Sequence, residues 1–140
     1  MQEIKLSSSM EDYIKTIYLL ENSNKVARVS DIGRRLSVKK ASVVAAVSYL
    51  QKNELIKHER YGFITLTENG KSIAEKIEKK NRVILEFLTG VLKLEKEKAV
   101  IEACEAEHIF SDESISKIAL LNKQNKPSAV KKNNIKTKKR

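Results

Sequence analysis

One cysteine, one proline and two histidines among 140 residues exclude several kinds of protein. A single thiol, Cys104, cannot build an intramolecular disulfide framework and agrees with a reducing cytoplasm. No apolar run approaches the ~20 residues that a bilayer-spanning helix requires. Glu3, Lys5, Glu11 and Asp12 interrupt the N-terminal stretch where a secretory apolar segment would sit. The expectation is a soluble, cytoplasmic protein with no membrane partner. A glycine-rich phosphate loop is missing, as is any nucleophile beside a positioned base, so neither an enzyme nor a small organic substrate is expected.

Basic residues are what the chain has in excess, 28 Lys and Arg against 18 Asp and Glu, for a net charge of +10. Their distribution is uneven. Residues 25–82 carry a net +8 and residues 123–140 another +8, whereas residues 1–24 carry −2 and residues 83–122 carry −4. The first basic block suits a polyanion, because neutralising phosphates releases counterions and supplies most non-specific affinity. The acidic block suits a cation. With 41% hydrophobic residues, a chain of this length can bury one good core, or a core plus a small helical annex.

Residues 28–67 carry the main structural pattern. Ser30-Asp31-Ile32-Gly33-Arg34-Arg35-Leu36 reads as a short helix with Ser30 as its N-cap. Ser37 and Val38 make a bend. A second helix is expected over 39–52, where Val43, Ala46, Val47 and Leu50 recur at three- and four-residue spacing as a buried stripe, opposite Lys39, Lys40, Ser42 and Ala45. Residues 55–58 and 63–67 are apolar, aromatic or Thr-rich and predict a hairpin turning at Arg60-Tyr61-Gly62. Two helices, a tight bend and a hairpin outline a winged helix-turn-helix, whose second helix enters the major groove of double-stranded DNA. Base-edge contacts are expected from Lys39, Lys40 and Ser42, with Ala41 or Ala45 against thymine methyls, and phosphate contacts from Arg28, Arg34, Arg35, Arg60 and Tyr61. His58 is read as a wing residue, not a metal ligand. The same architecture also serves as a protein-interaction module, a reading that the charge disfavours without removing.

Ahead of this region, Ser9 and Asp12 have capping-box spacing, and Met10, Tyr13, Ile14, Ile17 and Leu20 predict the apolar face of a helix ending near Asn22. Beyond it, Thr67 is the expected N-cap of a long helix over 68–90, with Ile73, Ile77, Ile84, Phe87, Leu88 and Val91 at helical spacing. A helix over 95–108 should turn Val100, Ile101 and Ala103 or Cys104 inward, and a last one, capped by Ser111, carries Ile115, Ile118, Ala119 and Leu121. Two short helices and one end of a long helix cannot bury all that apolar surface, which argues for a homodimer. The expected organisation is mainly α: a winged helix-turn-helix over 1–70, a helical dimerisation and metal-binding part over 71–122, and a basic disordered tail over 123–140.

In Cys104-Glu105-Ala106-Glu107-His108, a thiol, a carboxylate and an imidazole stand at i, i+3 and i+4 of a helix, where three first-row metal ligands can converge on one ion. The spacing equally suits a packed thiol, a surface carboxylate and a histidine near a helix C-terminus. At this point the chain resembles the diphtheria-toxin-repressor and manganese-transport-regulator family of metal-dependent transcriptional repressors. The resemblance runs through Ser9-Met10-Glu11-Asp12-Tyr13-Ile14 with Ile17-Tyr18, the winged helix, and residues 102–108 with Ser111-Asp112-Glu113. Its layout is similar to the shorter manganese type, without the SH3-like domain of the longer iron-type members.

The resemblance implies a homodimeric repressor whose operator affinity depends on a divalent metal held by Asp12, Cys104, Glu107 and His108. Asp12 thus has two competing roles, ligand and capping box. The implied ion is Fe²⁺ or Mn²⁺, with Co²⁺, Ni²⁺ or Zn²⁺ also compatible; a Cys104 thiolate favours softer ions than Mn²⁺, although some members use the backbone carbonyl there. Lys15 stands where the manganese type has a second carboxylate and Asn81 where it has a histidine, so a two-metal cluster is not expected. The alternative is a DNA-binding regulator that has lost metal control, with Lys15 neutralising the carboxylates in place of an ion.

Overall fold

The structure, a computed structural model, describes residues 5–23, 25–59 and 62–126. It divides into two units, Met1–Glu78 and Lys79–Arg140.

The first unit opens with α1 (Ser8–Asn22), whose N-cap is Ser7: its Oγ accepts the Met10 amide at 3.2 Å. Ser9 is therefore not the cap. With Ser7, Ser8 and Ser9 in a row, spacing alone cannot choose among them, and the helix begins at the first one whose neighbour can adopt helical dihedrals. Asp12 consequently lies inside the helix, one turn beyond its first residue, and not at the reach-back position of a capping box. The predicted apolar face holds: Tyr13, Ile14, Ile17 and Leu20 are buried, with Met10 packed beside them.

The next helix also starts earlier than expected. α2 (Val29–Leu36) has Arg28 as N-cap, not Ser30, and Asp31 Oδ2 accepts the Arg28 amide at 3.1 Å. An acid at the third helical position stabilises that earlier start both as an acceptor and through the helix dipole. Ser37, left-handed at φ 57 and ψ 47, ends α2, and the Val38 amide then donates to the Gly33 carbonyl at 3.0 Å. α3 (Lys40–Lys52) follows, with Lys39 as N-cap and the predicted Val43, Ala46, Val47 and Leu50 buried.

The wing is a two-stranded hairpin. β1 (Ile56–His58) pairs antiparallel with β2 (Ile64–Leu66) in the register Ile56↔Leu66, Lys57↔Thr65, His58↔Ile64. Gly62, at φ 80, supplies the positive dihedral the turn needs. Ile64 also donates to the Ala27 carbonyl at 2.8 Å, and Glu21 Oε2 accepts the Leu66 amide at 3.0 Å, so both the lead into α2 and the end of α1 are tied to β2. Ile32, Leu55, Ile56, Ile64 and Ala74 complete the core. Each large apolar side chain buried there contributes about 1.5–3 kcal/mol.

Thr67 caps α4 (Glu68–Glu86) as predicted: its Oγ1 accepts the Gly70 amide at 3.1 Å and donates to the Glu54 carbonyl at 2.7 Å. In the second unit the end of α4 widens into a π-helical turn at Phe87–Val91. α5 (Lys96–Ala106) and α6 (Asp112–Asn125) follow, the latter capped by Ser111, whose Oγ accepts the Ser114 amide at 3.1 Å. Ile84, Ala103 and Ile115 form the centre of this unit.

Two inward faces differ from expectation. α5 buries Ala99 and Ala103, while Val100, Ile101 and Cys104 are exposed, Ile101 by 65%. Leu121 of α6 is exposed as well, in favour of the neighbouring Asn122. Small alanines let α5 lie close to its neighbours, and Asn122 is drawn inward by donating to the Val83 carbonyl at 3.0 Å. Large apolar side chains are thereby left uncovered on the second unit. Among the described residues no helix is long and apolar enough to cross a membrane.

Gly70 marks the tightest approach among the glycines, since a Cβ there would collide with the Leu55 carbonyl. Gly70→Ala is expected to lower stability by about 1–3 kcal/mol, read as a reduced urea midpoint. Gly90→Ala, whose Cβ would meet only the Asn125 amide at 3.8 Å, serves as the near-neutral control.

Candidate metal centre and nucleic-acid interface

The C-x-x-E-H segment spans the C-terminal end of α5. α5 ends at Ala106, yet Glu107 keeps helical dihedrals (φ −59, ψ −22) and its amide donates to the Ala103 carbonyl at 3.0 Å. His108 then turns away, its amide 3.4 Å from the Glu105 carbonyl. Cys104 is exposed, while the side chains of Glu107 and His108 are only 1% and 7% exposed. His108 Nε2 lies 3.4 Å from Glu107 Oε2.

Two adjacent residues of α4 hold this turn. Asn81 Nδ2 donates to Glu107 Oε1 at 2.9 Å and lies 3.9 Å from Cys104 Sγ. Lys80 Nζ donates to the Phe110 carbonyl at 2.9 Å and sits 3.5 Å from Asp112 Oδ1. Sequence reasoning noted Asn81 only as a missing ligand and did not single out Lys80. The signal for Asn81 was present: it is the polar member of the stripe Ile77, Asn81, Ile84, Leu88 at three- and four-residue spacing.

Burying a carboxylate costs several kcal/mol unless charge or oriented dipoles compensate. Around Glu107 the second unit places an imidazole nitrogen, an amide and, further out, a sulfur. A carboxylate oxygen with imidazole and thiolate donors is a set that fits a divalent first-row ion. Asp12 and Lys15 belong to α1 of the first unit.

In that first unit Lys39, Lys40, Ala41, Ser42 and Ala45 are all exposed, opposite the buried stripe of α3. Arg34 and Arg35 are exposed at the end of α2, with Arg34 Nη1 3.5 Å from Asp31 Oδ1. The Arg28 guanidinium lies over the Phe63 ring, 4.6 Å from its centroid. Arg60 and Tyr61 lie outside the described residues. A groove of ≈ 530 Å³ among α2, the start of α3 and the wing is lined by Arg28, Arg34, Lys40 and His58. A second, lined by Lys25, Arg28, Arg34 and Arg35, adds a lysine that sequence reasoning passed over. Both have the charge of a phosphate-binding surface.

Residues 5–63 match the family described as iron dependent repressor, N-terminal DNA binding domain, and residues 67–128 its metal binding and dimerisation domain. An HTH-type transcriptional regulator of Methanocaldococcus jannaschii is 34% identical over 116 residues, 82% of this chain and 93% of the relative. The structure of the manganese regulator SloR superposes with a TM-score of 0.73 at 25% identity, over 84% of this chain and 54% of that one. IdeR of T. acidophilum gives 0.70 at 26% identity, again over 84% and 54%. A hypothetical protein of Sulfolobus solfataricus gives 0.64 at 27% identity, over 81% and 86%. The chain thus spans about half the length of the first two structures and nearly all of the Methanocaldococcus jannaschii relative. With one matched domain over the winged helix, a second over the Glu107–His108 turn, and a full-length relative beside them, the chain belongs to the iron-dependent repressor family.

Proposed function

We propose that this protein is a homodimeric repressor that binds operator DNA in response to a divalent metal ion. The observation that carries this reading is the buried Glu107 carboxylate, held by Asn81 and set against His108. An ion bound there supplies the positive charge that a buried carboxylate calls for. Glu107 and His108 provide oxygen and nitrogen donors, and Asn81 fixes Glu107 through Oε1 so that Oε2 faces the imidazole. Cys104 provides sulfur or its backbone carbonyl. Asp12 is proposed as a further ligand, on the strength of its match to the family's first-helix motif and of the cap having fallen to Ser7. Fe²⁺ or Mn²⁺ is the proposed ion, Cys104 sulfur ligation weighting the choice toward Fe²⁺.

On the DNA side, α3 is proposed to enter the major groove, with Lys39, Lys40 and Ser42 at base edges and Ala41 and Ala45 against thymine methyls. Arg34, Arg35, Arg60 and Tyr61 are assigned to phosphates, and Arg28 to bracing the wing through Phe63 while its outer N–H groups reach the backbone. The exposed Leu92, Val100, Ile101, Ile109, Leu120 and Leu121 of the second unit support a dimer contact.

Operator affinity, followed by fluorescence anisotropy, is expected to fall about 5- to 150-fold when EDTA removes the ion, the range of ordinary allosteric coupling. Equal affinity with and without chelator would leave a regulator without metal control. Glu107→Gln should abolish stoichiometric metal binding in titration calorimetry, and Asn81→Ala should weaken it about 10- to 100-fold, as removal of a ligand-orienting partner does. Arg35→Ala should weaken binding to all duplexes alike and reduce the log affinity–log salt slope by about 1.

A further inference from the structure

The last residue of β1, His58, belongs to neither the core nor the metal centre. Successive residues of a strand point to opposite faces, so His58 shares the face of Ile56, and Lys57 and Glu59 take the other. Ile56 is buried, whereas His58 lies beyond the edge of the core and is exposed. There it lines the groove of ≈ 530 Å³ together with Arg28 and Arg34 from α2 and its cap and Lys40 from the start of α3. Among the described residues no carboxylate lines this groove. The acids of the flanking elements are engaged elsewhere. Glu59 Oε2 accepts the Thr65 hydroxyl at 3.3 Å, on the face of the hairpin where Thr65 pairs with Lys57. Asp31 accepts the Arg28 amide at 3.1 Å and sits 3.5 Å from Arg34 Nη1, and α3 contains no acid at all.

Three permanent cations with the Ser30 hydroxyl beside them suit one phosphodiester of a DNA backbone. A histidine differs from Arg and Lys in that it gains or loses its charge between about pH 5 and about pH 8. We propose that His58 is a phosphate-contacting residue of the wing and that DNA binding takes up a proton there. The inference rests on the DNA-binding reading above and adds to it a contact residue and a dependence on pH. A protonated imidazole donates from both ring nitrogens and adds a charge-assisted hydrogen bond to a phosphate oxygen, whereas the neutral ring offers one N–H and no charge. A phosphate seated in the groove therefore favours the charged form, and affinity rises as pH falls. Metal binding has the opposite dependence, because its ligands must be deprotonated. Acid thus loosens the control exerted by the ion while it strengthens a contact that carries no sequence information.

The test uses the full-length protein in EDTA, so that metal occupancy is the same at every pH, with a duplex of arbitrary sequence at low salt. Fluorescence anisotropy between about pH 8 and about pH 5.5 is expected to show affinity rising about three- to tenfold, with the log affinity–log salt slope steeper by about 1 at the lower pH. His58→Gln, at an exposed position, should fold normally by circular dichroism, bind as the wild type does at the higher pH, and lose both changes. His58→Lys, with a permanent charge, should keep the tight binding and the steep slope throughout. If the wild type binds equally at both pH values, or if His58→Gln keeps the full pH dependence, the inference is overturned and the DNA-binding reading stands. A His58→Lys variant that binds no better than wild type at the higher pH overturns the phosphate contact. Absence of binding at either pH, at low salt and with Mn²⁺ restored, overturns the DNA-binding reading and this inference together.

Discussion

A carboxylate removed from water must be matched by something, and the second unit is organised around that requirement at Glu107. Its side chain is buried at the point where α5 gives way to a turn, with the Asn81 amide on one oxygen and the His108 ring near the other. A cation bound there, as proposed for this site, would add to that compensation and so couple the turn to the ion. Lys80 belongs to the same arrangement, because it anchors the far end of the turn at Phe110 and Asp112.

The winged helix illustrates a different economy. Its core is apolar, its elements are short, and side chains that touch two elements set their mutual position: Glu21 on the Leu66 amide, Thr67 on the Glu54 carbonyl, Arg28 on Phe63. Each acts near the wing, whose two three-residue strands could not persist as an isolated hairpin. The wing is consequently held by contacts with α1, α4 and the lead into α2.

Long-period features were legible in the sequence and local competitions were not. The stripes Tyr13-Ile14-Ile17-Leu20 and Val43-Ala46-Val47-Leu50 need one buried face each, so periodicity located them. The caps Ser9 and Ser30 were misplaced because several acceptors stood within two residues of each helix start, and the outcome depended on which amide each could reach. The face of α5 was read correctly at Ala103 and wrongly beside it: hydrophobicity favoured Val100 and Ile101, whereas close packing selected Ala99. At the candidate site, Cys104, Glu107 and His108 were visible as ligand types, but their unequal exposure, with the thiol at the surface and the carboxylate and imidazole buried, left no mark in residue identity. Asn81 was recognised only as an absence, although its position in an apolar stripe already gave it an inward direction.

The π-helical turn at Phe87–Val91 bears on how this chain tolerates change in length. Such a turn holds one residue more than regular α-helix over the same rise, as a single-residue insertion would leave it. Asn125 reaches the Gly90 carbonyl and Asn122 the Val83 carbonyl, so both sides of the widened region are clasped by α6. Removing one residue there would restore an unbroken helix and swing everything after it by roughly a quarter turn, carrying Gly90 out of register with its clasp. For this stretch, the count of residues is under tighter constraint than their kind.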